Sequence, residues 1–188
     1  ICWPRCNGFN APIPAPVGDL MSAAPAPLSS DVVWRWLAAV PDPEIPVVSV
    51  VDLGIVRDVA VTDSAVVVRI TPTYSGCPAT SVIRLEIETA LRAQGIDAVR
   101  VETVLSPPWS TRAISADGRA KLAAYGIAPP DDAVSCAGGL AALKSAHVAC
   151  PRCQSPATEV VSPFGSTPCK AAFRCTACGE PFDYFKAI

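Results

Sequence analysis

Two Cys-x-x-Cys pairs near the C-terminus, Cys150-Pro151-Arg152-Cys153 and Cys175-Thr176-Ala177-Cys178-Gly179, constrain this chain more than any other feature. Cysteines at i and i+3 on tight turns can aim two thiolates at one point. Two such turns supply the four ligands of a closed tetrahedral zinc site and leave no position for substrate. Between them, residues 158–161 and 171–174 have the composition of strands, and residues 181–185 of a third. The pattern predicts a zinc ribbon over residues 150–188, near the length of about 40 residues below which a fold needs a staple. Structural zinc contributes about 10–16 kcal/mol in small fingers, so the metal supplies much of such a fold. Four thiolates also suit a mononuclear iron or an iron-sulfur cluster. A redox dithiol is the rival reading of each pair, but that chemistry uses one pair on a βαβ unit rather than two flanking a hairpin.

Three other residues of this region need an assignment. Cys169, in Gly165-Ser166-Thr167-Pro168-Cys169-Lys170, is a fifth cysteine that a closed site does not need. Lys170 beside it would favour a thiolate, and a half-buried strand position is the alternative. His147, the sole histidine, lies three residues before Cys150 and is superfluous as a ligand where four thiolates are present. Phe182, Tyr184 and Phe185 are expected in the ribbon core or on a partner surface. Stacking on nucleic-acid bases would need more local cations than Lys186 and its neighbours supply.

The second constraining stretch is Thr71-Pro72-Thr73-Tyr74-Ser75-Gly76-Cys77-Pro78-Ala79. Val66, Val68 and Ile70 alternate as in a buried strand, and Val82, Ile83, Ile87, Ala90 and Leu91 recur at helical spacing, predicting a helix from Cys77-Pro78 to about Gln94. Pro78 suits a first helical position, and Gly76 frees the turn. Cys77 would then meet the unpaired N–H groups and positive dipole of a helix start, which lower a thiol's pKa and suit a nucleophile or a metal ligand. Packing of a small apolar residue at the junction explains the same placement equally well.

Around this stretch the chain reads as one α+β unit, a small largely antiparallel sheet with helices on one face, over residues 30–128. Ser30 and Asp31 would cap a helix over residues 32–39. Asp42-Pro43-Glu44-Ile45-Pro46 is a stiff bend whose acids either cap and solvate the turn or face Cys77. Gly54, after Asp52-Leu53, is expected to hold an unusual backbone angle. Residues 55–61 and 65–71 form a hairpin through Thr62-Asp63-Ser64, residues 98–105 a third strand, and Ser115 caps a helix that ends at Gly126. Thr71, Thr73, Tyr74, Trp109, Ser110 and Thr111 lie in irregular segments at strand ends, where functional loops gather, and are expected around Cys77. Residues 129–149 form a linker in which Cys136 is a bystander.

Residues 1–29 have the composition of a disordered tail. The only methionine, Met21, precedes a plausible start, so residues 1–20 with Cys2 and Cys6 are expected to lie outside the native protein. No apolar run approaches the roughly 18 residues needed to cross a bilayer, and the net charge of −2 offers no global face for nucleic acid. Nine cysteines, four of them in Cys-x-x-Cys pairs and without a secretory signal, point to thiolates on metal in a reducing cytoplasm.

Taken in order, Asp42-Pro43-Glu44-Ile45-Pro46, Asp52-Leu53-Gly54, the stretch through Cys77-Pro78, and Pro107-Pro108-Trp109-Ser110-Thr111 resemble the SufT-like family of iron-sulfur assembly factors. The ribbon, with Phe164-Gly165-Ser166-Thr167-Pro168-Cys169-Lys170 and Glu180-Pro181-Phe182-Asp183-Tyr184-Phe185-Lys186, narrows the resemblance to the branch associated with phenylacetate degradation. The resemblance implies an accessory, non-catalytic component of the multicomponent phenylacetyl-CoA epoxidase, an oxygenase. Such a component assists assembly of iron-sulfur or di-iron centres in the epoxidase subunits or their reductase. It further implies Cys77 as the reactive cysteine or cluster ligand, transiently holding iron or a cluster, Asp42 and Glu44 as the acidic motif, and Cys150, Cys153, Cys175 and Cys178 as ligands of structural zinc. Cys77 alone cannot hold a cluster, so a homodimer, a small thiol or the client would complete it. A thiol redox protein using Cys77 with Cys169, and a ribbon-based nucleic-acid binder, are the rival functions.

Overall fold

The computed structural model describes residues 28–62, 65–74, 76–130, 143 and 148–186. The tail, Cys2, Cys6, Cys136 and His147 lie outside the described residues. Helix α1 (Ser30–Leu37) is the first element among the described residues, with Ser29 at its N-cap position. Neither predicted capping side chain is used: the helix starts two residues earlier than expected, Ser29 caps without a side-chain bond, and Asp31 sits in the first turn, where its charge complements the dipole.

Strands β1 (Val56–Val61) and β2 (Val66–Ile70) form the expected antiparallel hairpin, with Val59 opposite Val68 and a bulge between Val56 and Asp58. Helix α2 (Thr80–Ala93) then carries the chain back to β3 (Val99–Thr103), which pairs with β2 in parallel. A parallel neighbour requires a crossover, and α2 supplies it. Ile83, Ile87 and Leu91, one face of α2, meet Val33 and Leu37 of α1 and Val66, Val68 and Ile70 of β2 in a single core. Burying each of these aliphatic chains is worth about 1.5–3 kcal/mol.

Gly54 has φ +64°, and a Cβ there would lie 2.3 Å from the Ala113 carbonyl oxygen, so the turn excludes any side chain. Ser115 caps α3 (Ala116–Ala124) by accepting from the Gly118 N–H at 2.9 Å, and Gly126 follows with φ +90°.

Strand β4 (Ile127–Ala128) pairs in parallel with β7 (Pro181–Phe185). Strand β7 pairs with β6 (Lys170–Cys175), and β6 with β5 (Thr158–Ser162), both antiparallel. The end of the first unit therefore forms the edge of the ribbon's sheet. One face of that sheet, with Ala171, Phe173, Phe182 and Tyr184, makes the ribbon's own core; Phe185 on the other face is buried in the core of the first unit. Phe182, Tyr184 and Phe185 thus pack rather than present rings for stacking, whereas Phe164 is exposed with the Lys186 ammonium 4.9 Å from its ring centroid. No helix among the described residues is long and apolar enough to cross a membrane.

Candidate functional site

The four knuckle cysteines converge. Cys150 and Cys178 sulfurs lie 3.8 Å apart, Cys153 and Cys175 3.6 Å, and all four sulfurs lie within 4.8 Å of one another. A tetrahedron with Zn–S bonds of about 2.3 Å has edges of about 3.8 Å, so these residues fit zinc as they stand. Crowding splits the thiols. Backbone N–H groups of Cys178 and Ala177 help to pull Cys175 down to about 7. Cys153, although the Ser155 N–H favours its thiolate, is pushed up to about 12 by hydrogen bonds with Cys178 and its neighbours and by desolvation. Arg152 lies within electrostatic reach of Cys178 and Cys150 and pairs with Glu180, placing a cation beside the sulfurs.

Elsewhere, a cavity of about 20 Å³ is lined by Asp42, Glu44, Thr73, Cys77, Thr80 and Cys169 over an apolar floor of Leu53, Ile70 and Ile83. Its sequence-predicted members Asp42, Glu44, Thr73 and Cys77 are thus brought together from two segments. The bend bearing the acids is shaped by Asp42 itself, whose Oδ1 accepts from the Glu44 N–H at 2.9 Å and the Ile45 N–H at 2.8 Å. Asp42 therefore caps the turn, and it lines the same cavity as Cys77.

Cys77 lies one turn before α2. Its carbonyl accepts from the Thr80 N–H at 3.2 Å, so the chain enters the helix through an i+3 turn and Thr80, not Cys77, begins it. Ala79 N–H and the Thr80 hydroxyl do favour a Cys77 thiolate, as a helix start should, but the expected lowering does not result. Desolvation of the half-buried sulfur is the larger effect, and Glu44 and Asp42 add to it, so the thiol is pushed up. Burial likewise raises Asp42 and, with the Asp42 charge, Glu44. Tyr74 is raised by the same neighbourhood, desolvation first and then the charges of Cys77, Glu44 and Cys169.

Thr71, Trp109, Ser110 and Thr111, expected around Cys77, do not line the cavity. Trp109 is 4% exposed, donates its indole N–H to the Leu53 carbonyl at 2.8 Å and meets the Phe185 ring at 6.1 Å between centroids. It braces a wall from behind. The Thr111 carbonyl accepts from Arg119 at 2.8 Å, which ties the same segment to α3.

One lining residue, Cys169, comes from the ribbon. Cys169 is buried, 6% exposed, its sulfur 3.0 Å from the Thr167 hydroxyl, and burial pushes this thiol up too. Lys170, also buried, pairs with Asp183 at 3.3 Å and is within electrostatic reach of Asp42, Glu44 and Cys169. The signal for Cys169 was its redundancy to the zinc ligand count, and the signal for Lys170 was its place beside that cysteine.

Comparison with known proteins gives two family matches. A family described as PaaD zinc beta ribbon domain matches residues 139–186, and one described as iron-sulfur cluster assembly protein matches residues 30–105. An Escherichia coli (strain K12) protein named as a component of 1,2-phenylacetyl-CoA epoxidase is 45% identical over 163 residues, covering 87% of this chain and 96% of its own length. A Porphyromonas gingivalis (strain ATCC BAA-308 / W83) protein named Fe-S protein maturation auxiliary factor is 35% identical over 93 residues, 47% of this chain and 85% of its own. Among solved structures, a domain of unknown function from Bacillus anthracis is similar at 30% identity with a TM-score of 0.46, over 49% of this chain and 89% of that one.

Proposed function

The chain belongs to the PaaD family, in which an iron-sulfur assembly domain is joined to a zinc ribbon, and on that footing we propose that it is a non-catalytic maturation factor of a phenylacetyl-CoA epoxidase. It helps to load iron-sulfur or di-iron centres into the epoxidase subunits or their reductase, through Cys77, in the cytoplasm.

The observation that carries this reading is the cavity in which Cys77 meets Asp42, Glu44 and Thr73 just before α2. A sulfur and two carboxylates on the wall of one cavity offer few ligands, which suits a brief hold on a metal better than permanent storage. The four-thiolate knuckle has the opposite character. Its four thiolates would close the shell of a zinc ion, which when bound would supply rigidity and a face for docking.

A thiol redox role for Cys77 and Cys169 would use the same sulfurs, but reactive redox thiols depend on a lowered pKa, and burial pushes both of these up. A nucleic-acid role loses Phe182 and Tyr184 to the ribbon core and Phe185 to the core of the first unit.

Co-expression of the epoxidase subunits with Cys77→Ser tests the proposal. Partner enzymes should come out deficient in iron and activity while the variant itself folds and retains its zinc. Full iron content and activity beside the variant would remove Cys77 from the function.

A further inference from the structure

The edge strands of an open sheet turn N–H and C=O groups outward, where another chain can pair with them, and bulges or shortness are the usual defences. Among the described residues three of the four sheet edges have such a defence. Strand β1 is bulged between Val56 and Asp58, β5 between Val160 and Ser162, and β4 is two residues long. Strand β3 has neither. It ends its sheet beside β2 with an unbroken register from Val99 to Thr103. The Ala98 carbonyl accepts from the Val66 N–H, and the Val104 N–H donates to the Ile70 carbonyl, so the even-numbered residues bond to β2. Alternation along the strand then turns the N–H and C=O groups of Val99, Val101 and Thr103 outward.

The side chains of this edge are self-complementary. Arg100 and Glu102 lie on the face opposite Val101, which is buried in the core. Glu102 ends a row of alternating charge across the sheet: Asp58 pairs with Arg69 at 2.5 Å, and Arg69 with Glu102 at 3.4 Å. Arg100 meets Glu102 at 3.1 Å, yet its side chain is still 75% exposed. Consider two copies paired antiparallel about a two-fold axis at Val101. Val101 then faces the partner's Val101, Val99 the partner's Thr103, and Arg100 the partner's Glu102. The outward-turned residues become hydrogen-bonded pairs, and Arg100 with Glu102 falls in the non-hydrogen-bonded pairs, where side chains stand closest. An axis at Arg100 or Glu102 would set like charges opposite one another, and an axis at Val99 or Thr103 would leave Arg100 opposite Ala98 or Glu102 opposite Val104. Only the register at Val101 carries the Asp58–Arg69–Glu102 row on into the second copy. The groove beside the edge is lined by Arg84 and Glu88 of α2, one charge of each sign, so it raises no like-charged barrier to a copy of itself.

We infer that β3 is a homodimer interface, at which two copies of this chain join edge to edge, antiparallel about Val101, into one continuous sheet with an isologous contact. This stands independently of the maturation role. It also bears on Cys77, which follows the C-terminal end of β2, the strand to which β3 is parallel. The two-fold axis reverses the partner's strands. The two Cys77 sites therefore lie toward opposite ends of the joined sheet, and the ligands that one Cys77 lacks come from a client or a small thiol, not from this partner.

Analytical ultracentrifugation of the full chain with zinc on the ribbon tests the interface. Wild type should dimerise with a dissociation constant below about 1 mM. Arg100→Glu and Glu102→Arg each set like charges opposite one another on both sides of the axis, and each should weaken self-association at least about tenfold. Both side chains reach solvent, so neither change threatens the fold. An equal mixture of the two variants should recover a heterodimer, because each supplies the charge that the other lacks, and the double variant R100E/E102R should pair with itself as wild type does. Amide exchange locates the contact. The Val99, Val101 and Thr103 N–H groups should be protected in wild type and exchange freely in Arg100→Glu at the same concentration. Wild type that stays monomeric at about 1 mM would overturn the inference. So would a dimer that survives both reversals with these amides unprotected, or one that the mixture fails to restore. Protection of the same amides only on addition of an epoxidase subunit would assign the edge to a client strand and overturn the second copy as its occupant.

Discussion

Removing the ribbon's metal should take the Cys77 cavity apart, although the two sites share no residue. Structural zinc contributes about 10–16 kcal/mol to folding in small modules. Without it the ribbon is held to the first unit by the buried Phe185 side chain, about 1.5–3 kcal/mol, by the Trp109–Phe185 ring contact, about 0.5–1.5 kcal/mol, and by a two-residue parallel pairing. Those contacts fall well short of the metal's share, and a ribbon near 40 residues lacks the core to fold unaided. Chelation, or Cys178→Ser, should therefore unfold residues 150–186 and withdraw Cys169 from the cavity, leaving α1, α2 and the β1–β2–β3 sheet with an intact core of their own. The assay is timed alkylation followed by peptide mass spectrometry. With zinc bound, Cys169 should label slowly; after chelation it should label about as fast as the four freed knuckle thiols, and Cys77 should also speed up. If the knuckle thiols label fully while Cys169 remains as protected as before, packing rather than metal holds the ribbon in place and the coupling is refuted.

Four further outcomes follow from single contacts. Gly54→Ala must place a Cβ 2.3 Å from the Ala113 oxygen at φ +64°, and should cost about 2–4 kcal/mol, lowering Tm by at least about 5 °C; a Tm within about 2 °C of wild type would mean that Ala113 yields freely. The Asp52 carboxylate is lowered despite its burial, because it accepts from Lys121 at 2.6 Å and the Ser49 N–H at 2.9 Å. Its stabilisation is present above the ordinary carboxylate value of about 4 and is lost as pH falls through the lower folded value, so urea midpoints of Asp52→Asn should depend less on pH than wild type between pH 2 and 6. Asp42 is raised, so its ionised form costs stability at neutral pH; Asp42→Asn, which can still accept the Glu44 and Ile45 N–H bonds, should raise Tm at pH 7, and a lower Tm would contradict the burial cost. Ser115→Ala removes the acceptor for Gly118 N–H and should cost about 1 kcal/mol in urea unfolding.

What could be read from the sequence was what depends on near neighbours. The Ser115 cap, the turns at Gly54 and Gly126, the β1–β2 hairpin and the two knuckles each follow from residues within a few positions of one another, and each stands where expected. The parallel β2–β3 pair was legible in principle, since a helix between two strands is itself a crossover. Trp109 and Cys169 were not, and for one reason. An irregular segment at a strand end can brace a wall or furnish a ligand, and only docking of distant elements decides which. That docking runs through Ile127–Ala128, a strand too short to carry any periodicity. Trp109 was drawn behind the cavity by the Leu53 carbonyl, and Cys169 was drawn into it by Phe185. The sequence did hold one usable clue to the second case. A ligand-type residue left over when a closed metal site has been filled has no role in that site, and it is worth asking which other sulfur it can reach.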